Sequence, residues 1–338
     1  MHLNHNLANR RTLALLSALL IALTLTFSAC KNDNSTTPTV PTIKEQIDGN
    51  PNFTLLKAAL AKSGLDVTLN SAGNYTLLAP TDDAFRAFGF ANATAIDLAP
   101  IELIRAVVQY HVLGTKVESS AIPVASNTPQ QTQLLSAPVY FTRPVAVTTS
   151  TGSVTTVAVN GARILLGDVE SSNGVIHAID RILLPPLYGN IPNTIAQIPT
   201  IYALLAPTAG VSFKLLQQVV AKTSSVSSLT ATGPLTLFAP TDNAFRAVGY
   251  DSTKIAATPA ADLTKVLTYH VVNGRIYTPT LTNGASLTTA SGAVTVGTST
   301  TAVTVTGKSN GGTASNVIGP DVTTSNGVIH IIDRLLLP

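Results

Sequence analysis

The sequence predicts an α+β chain built from two tandem domains, and three observations carry that expectation. The phrase "NGVIHAIDRILLP", Asn173 to Pro185, returns at the end of the chain as "NGVIHIIDRLLLP", Asn326 to Pro338, with eleven of thirteen residues the same. Two further phrases return in the same order: "LLAPTDDAFRAFGF" from Leu77 as "LFAPTDNAFRAVGY" from Leu237, and "VVQYHVLG" from Val107 as "VLTYHVVNG" from Val266. Within each copy, apolar residues first recur at helical spacing and then alternate, the order expected of an α+β unit. A copy of roughly 140 residues is domain-sized, so the repeat describes duplicated globular domains and not a solenoid of short units. The predicted bounds are 42–187 and 191–338.

Ahead of the first copy, Arg10 and Arg11 precede an almost wholly apolar run, Leu13 to Phe27, broken by Ser17, Thr24 and Thr26. Fifteen such residues suit the core of a signal peptide and are short for a membrane span. The run ends in "FSAC", which resembles a bacterial lipoprotein signal, although Phe27 stands where that family usually has Leu. The resemblance implies a signal peptide over 1–29, acylation of Cys30 and a membrane partner reached through the acyl chains. Ordinary secretory cleavage near this point, or a membrane anchor, are the alternatives. Cys30 is the single cysteine, so it has no disulfide framework to join. Lys31 follows it, and an Asp there often marks inner-membrane retention, so the outer membrane is the expected address. Residues 30–41, with "KNDNSTTPTVP", read as a flexible tether.

Loss of residues 1–29 would leave 18 basic against 17 acidic side chains, so a net charge of +3 falls to about +1. Without a cluster of cations to neutralise phosphates, nucleic acid is set aside as a partner.

In the first copy, Phe53, Leu56, Ala59 and Leu60 share a helical face that Gly64 ends. "NYTLLAP" reads as a buried strand stopped by Pro80, and Thr81 or Asp82 caps the short helix bearing Phe85 and Phe88, which Gly89 ends. Ile101, Ile104, Val107 and Val108 form the stripe of a further helix, with Pro100 at its start and Gly114 closing it. The period then becomes two. Val157 and Val159 lead to Asn160-Gly161, a strong hairpin signal, and Ile164 and Leu166 follow. In the last strand Val175, His177 and Ile179 share one face, with Ile176, Ala178 and Asp180 on the other. In the second copy "GAVTVG", "TAVTVTG" and "GVIHIIDRLLLP" read as strands.

These phrases resemble the fasciclin domain family. Its first box matches Thr76 to Phe85 and Thr236 to Phe245, with Leu78 in place of the usual Phe in the first copy. Its Tyr-His pair matches Tyr110-His111 and Tyr269-His270, and its closing box matches the two phrases from Asn173 and Asn326. The resemblance implies two tandem fasciclin-like domains, each a β-sandwich or wedge with several packed helices. It also implies cell adhesion or extracellular-matrix interaction, with Tyr110, His111, Tyr269 and His270 as candidate partner-binding residues. Read from the residues alone, the same pairs are structural, a Tyr hydroxyl and an imidazole fixing a helix end.

Chemistry is thinly marked. The four histidines outside the leader, His111, His177, His270 and His330, all fall in repeated phrases and read as buried, hydrogen-bonded groups. Each domain holds two, too few for a metal set, and no nucleophile motif or phosphate loop occurs, so no catalytic residue, metal or cofactor is assigned. Capping accounts for Asp82 and Asp242. The Thr/Ser-rich stretches 146–156 and 285–315 read as strand edges and long loops, where binding is often carried. The expected role is a lipid-anchored surface or periplasmic binding protein. Its partner would be a surface protein or a polysaccharide, the second reading being a carbohydrate-binding module and the third a hydrolase.

Overall fold

A computed structural model describes residues 39–143, 147–149, 152–154, 157–205, 211–299 and 302–338. The leader, Cys30 and most of the tether lie outside these residues, as does part of the stretch 146–156.

The first strand of the chain is an interior strand of its sheet, one place in from the end. β1 (Tyr75–Pro80) pairs antiparallel with β2 (Val112–Leu113) and parallel with β9 (Gly174–Ile179), Leu77 lying opposite Ile176. The order continues through β8 (Ala162–Ser171), β7 (Ala158–Val159) and β4 (Pro138–Arg143) to β3 (Ala125–Gln131). A bridge between Leu113 and Thr132 brings the two edges together. β5 (Val147–Thr149) and β6 (Gly152–Val154) form a separate hairpin. The second domain repeats the plan and closes it. β10 (Leu235–Pro240), β11 (Val271–Asn273), β12 (Ser286–Thr289), β13 (Gly292–Thr298), β14 (Val303–Thr306), β15 (Ser315–Thr324) and β16 (Gly327–Ile332) form a barrel in chain order, with β16 parallel to β10. Closure leaves no open edge for another chain to pair with.

The α+β class is the observed one, but helices and strands are less cleanly segregated than the pattern implied. β1 precedes three helices and runs parallel to β9. Both strands are buried on both faces, which suits an unbroken apolar run better than alternation. One face of β9 packs on the helices and the other lines the barrel interior. Ile176 and Ala178 join Leu56, Leu60, Phe85, Ile104 and Val108, while Ile179 joins Leu78, Tyr110, Phe141 and Val159.

The helix Thr54–Ser63 ends as its sequence predicts. Gly64 takes φ 78° and its N–H reaches the carbonyls of Leu60 and Ala61, a left-handed stop. In the helix Ile101–Tyr110, Ile104 and Val108 are buried but Ile101 is exposed, so the stripe starts one turn late. Gly114 does not close this helix. It stops at Tyr110, because Val112 leaves directly to pair with Leu77 in β1. The hairpin at Asn160-Gly161 forms as a two-residue turn, with φ 45° and 81° and Val159 opposite Ala162. Beyond it Leu166 is exposed, because irregularities in register on either side of it break the alternation. The helices Ile43–Gly49, Leu65–Asn70 and Ala93–Leu98 are too short to print a periodic pattern.

Gly174 is fixed by the parallel pairing. A Cβ there would lie 2.0 Å from the Tyr75 carbonyl oxygen. Gly174→Ala is expected to lower stability by about 1–3 kcal/mol or more, since backbone must move to admit the methyl group. A urea midpoint equal to that of the parent chain would contradict so close an approach.

Candidate functional site

The residues of the repeated phrases converge on each domain's interior. Tyr110, His111, Tyr269 and His270 are each at most 2% exposed. The His111 Nδ1–H donates to the Val107 carbonyl (2.7 Å), and its Nε2 accepts the N–H of Leu183 (3.0 Å). His270 does the same with Val266 (2.7 Å) and Leu336 (3.0 Å). Each imidazole therefore ties a helix end to the segment that follows the last strand. Burial pushes both down to about 4. His177 and His330 are held the other way round. Nδ1 accepts the N–H of Asp168 or Asp321 (3.2 Å each), and Nε2–H donates to the carbonyl of Val117 (2.8 Å) or Ile276 (2.9 Å). All four rings have one donor and one acceptor engaged with backbone, which is the bonding of a neutral imidazole.

The other boxed polar residues are engaged in the same way. Asn173 and Asn326 accept from the N–H of Ile43 and Ile191, and their amides donate to carbonyls at the ends of Leu65–Asn70 and Val226–Thr230. Thr81 and Thr241, not the aspartates after them, cap the following helices. Asp82 and Asp242 cap a different helix each, accepting the N–H of Leu55 and Leu215 (2.8 Å each) and a hydroxyl from Thr54 and Ser212. That link reaches back 27 residues and is invisible in sequence, where each aspartate stands at the start of the helix that follows it.

The Tyr-His pairs are thus buried, and their rings hold the surface above them in place. That surface is shaped by a junction between the domains. The Tyr110 hydroxyl donates to the Pro138 carbonyl (3.0 Å) and accepts from Asn160 (2.7 Å), whose Oδ1 in turn accepts from the Tyr277 hydroxyl of the second domain (3.2 Å). The Arg275 guanidinium stacks on Tyr140, 4.1 Å from the ring centre. Asp321, nearly enclosed and at φ 64°, accepts from Arg181 (2.6 Å), from the Thr278 N–H (2.7 Å) and from the Thr278 hydroxyl. Only glycine fits at position 161, because a Cβ there would stand 2.3 Å from the Asp321 carboxyl. Beside the Arg181–Asp321 pair lies a cavity of about 460 Å³, lined by Phe88, Leu184, Tyr202 and Ile318 among others.

None of this junction was legible beforehand. Arg181 and Asp321 lie 140 residues apart and each domain contributes one. Among the described residues, no three His, Cys, Asp or Glu converge on a metal position, and no helix is long and apolar enough to cross a membrane.

Comparison with known proteins matches the fasciclin domain to residues 51–185 and 211–338. Over 273 residues the chain is 27% identical to transforming growth factor-beta-induced protein ig-h3 of Sus scrofa, covering 80% of this chain and 35% of that protein. It is 36% identical over 129 residues to protein sll1483 of Synechocystis, covering 38% of this chain and 68% of that protein. Human periostin is 29% identical over 183 residues, 54% of this chain and 20% of periostin. The chain therefore spans about a third of the pig protein's length. A solved FAS1 domain pair from the insect cell adhesion molecule fasciclin I matches with a TM-score of 0.38 and 20% identity, covering 85% of this chain and 97% of that one.

Proposed function

We propose, from a chain that belongs to the fasciclin domain family and carries two of its domains in tandem, that the protein is an adhesion module held at the bacterial cell envelope. The carrying observation is the junction. Asp321, Arg181, Asn160 and Tyr277 join the two domains through one part-buried and one buried polar contact. Two sets of surface loops are thereby held at one spacing, and a ligand engaging both gains avidity without new contacts. The boxed histidines, tyrosines and aspartates support the reading, since their polar atoms are engaged in holding the scaffold and leave recognition to the surface. Cys30, acylated and followed by a polar tether, would fix the pair to the outer membrane, each buried methylene contributing about 0.8 kcal/mol.

Cells lacking the protein are expected to lose aggregation or surface attachment, and re-expression of the intact chain to restore it. Cys30→Ala is expected to move the protein from the membrane to the soluble fraction. Unchanged attachment counts against adhesion, and unchanged fractionation against the acyl anchor. The cavity beside Arg181 favours one second reading, binding of a small saccharide, because its volume falls within the range of small-molecule sites. Selective retention on a glycan array by the parent chain, lost in Arg181→Ala, is the result that reading requires.

A further inference from the structure

The junction between the domains uses two different faces, and the repeat leaves one copy of each uncovered. On the first domain the junction face carries Arg181, Phe88 and Leu184; on the second it carries Asp321, Ile318 and Gly319. The second domain's own version of the Arg181 face is open. Arg334 occupies the Arg181 position in the repeated phrase, is exposed, and has no ion pair among the described residues. Val248 stands where Phe88 does and is 40% exposed.

The first domain's version of the Asp321 face is open as well. Asp168 reproduces the Asp321 geometry, with φ 58°, its N–H donating to His177 and its carboxylate accepting from the Ser119 N–H. Unlike Asp321, it is exposed and no arginine faces it among the described residues. Beside it Leu165 and Leu166 are 60% and 61% exposed, in the places of Ile318 and Gly319.

We infer that a second copy of this chain covers each open face, the Arg334 end of one molecule docking on the Asp168 face of the next. Two observations choose this occupant. The contact is the same pairing of faces that already joins the two domains within the chain. The charges have also diverged in a complementary way. Glu118 and Glu170 replace Tyr277 and Thr323 around Asp168, three carboxylates against the single Lys116, while Lys308, exposed, donates its backbone N–H to the Tyr269 hydroxyl where the Asn160 side chain donates to that of Tyr110. The acidic face therefore meets a basic one. Two unlike faces make a heterologous contact, which propagates into a row or closes into a ring and does not stop at a two-fold dimer. The helix Ile43–Gly49 is half the length of its counterpart Ile191–Leu205, so the contact between copies lacks the cover that Ile201 and Tyr202 give the internal junction and is the weaker of the two.

Sedimentation velocity of the full chain in a non-ionic detergent tests this. The parent is expected to form species larger than dimers as concentration rises, and salt to suppress them. Arg334→Glu and Asp168→Arg are each expected to weaken association at least tenfold through like-charge contact. An equimolar mixture of the two variants should associate again, since every contact between unlike variants pairs opposite charges, in the parent arrangement at one contact and exchanged at the next. The doubly substituted chain should associate again. A single species at every concentration, or association that both substitutions leave untouched, overturns the inference.

Discussion

Asp321→Ala is expected to destabilise the protein by about 3 kcal/mol and to loosen the two domains from each other. The carboxylate is almost fully enclosed, and its loss strands the Thr278 N–H and hydroxyl inside the junction. Arg181 keeps about a third of its side chain in water, so its share of the cost is softened by solvent, and the larger share falls on Thr278. Asp321→Asn retains the shape and one acceptor and is expected to lose less. Urea unfolding followed by calorimetry separates the effects. The parent should unfold with the domains coupled, and the alanine variant should show an earlier transition for the domain that lost its contact. A change under about 1 kcal/mol would mean that the junction is held elsewhere, with the Arg275–Tyr140 stack the first place to look.

The second large effect is an acid loss of stability written into the Tyr-His pairs. His111 and His270 titrate near 4 in the folded chain, because burial disfavours the charged ring more than the Val107 and Val266 carbonyls favour it. In the unfolded chain they titrate near 6.5. Between those values the unfolded state binds protons that the folded state refuses, so stability falls as pH drops from about 6.5 to about 4 and the loss is complete below that. Each ring accounts for about 3 kcal/mol across the window. His330 is also pushed down by burial and adds in the same direction. His111→Gln with His270→Gln keeps a donor and an acceptor at each position and removes the titration. This variant is expected to be less stable at pH 8 yet to lose less on acidification. A pH slope identical to the parent's would place the acid sensitivity in other groups.

The sequence made the duplication, the α+β class and the turn at Asn160-Gly161 legible, because each is local or self-comparing. A phrase repeated in order needs no knowledge of space, and a two-residue turn needs only its own dihedral angles. Burial of the four histidines was legible too, since a polar residue inside an apolar strand must find partners there. What escaped was everything set by contact across the chain. Asp82 looked like the cap of its own helix and is the cap of another, and the barrel closure at Leu113 and Thr132 joins segments with no shared pattern. Leu166 looked inward because alternation was assumed to continue through irregularities in register that leave no mark in composition. Tyr110 and His111 were found but lie beneath the surface, and the Arg181–Asp321 junction is a relation between two domains that neither half announces.

The parallel pairing of β1 with β9 also sets a schedule. Leu77 waits for Ile176, and Leu237 for Ile329, so the central pair of each domain joins its early segment to its last strand. Contacts at such separation are slow to form because the loop between them must first be closed. While the chain is still emerging from the ribosome, neither domain can complete its sheet. Each stays open until nearly its whole length has been made, so the folding of a domain follows its synthesis instead of keeping pace with it.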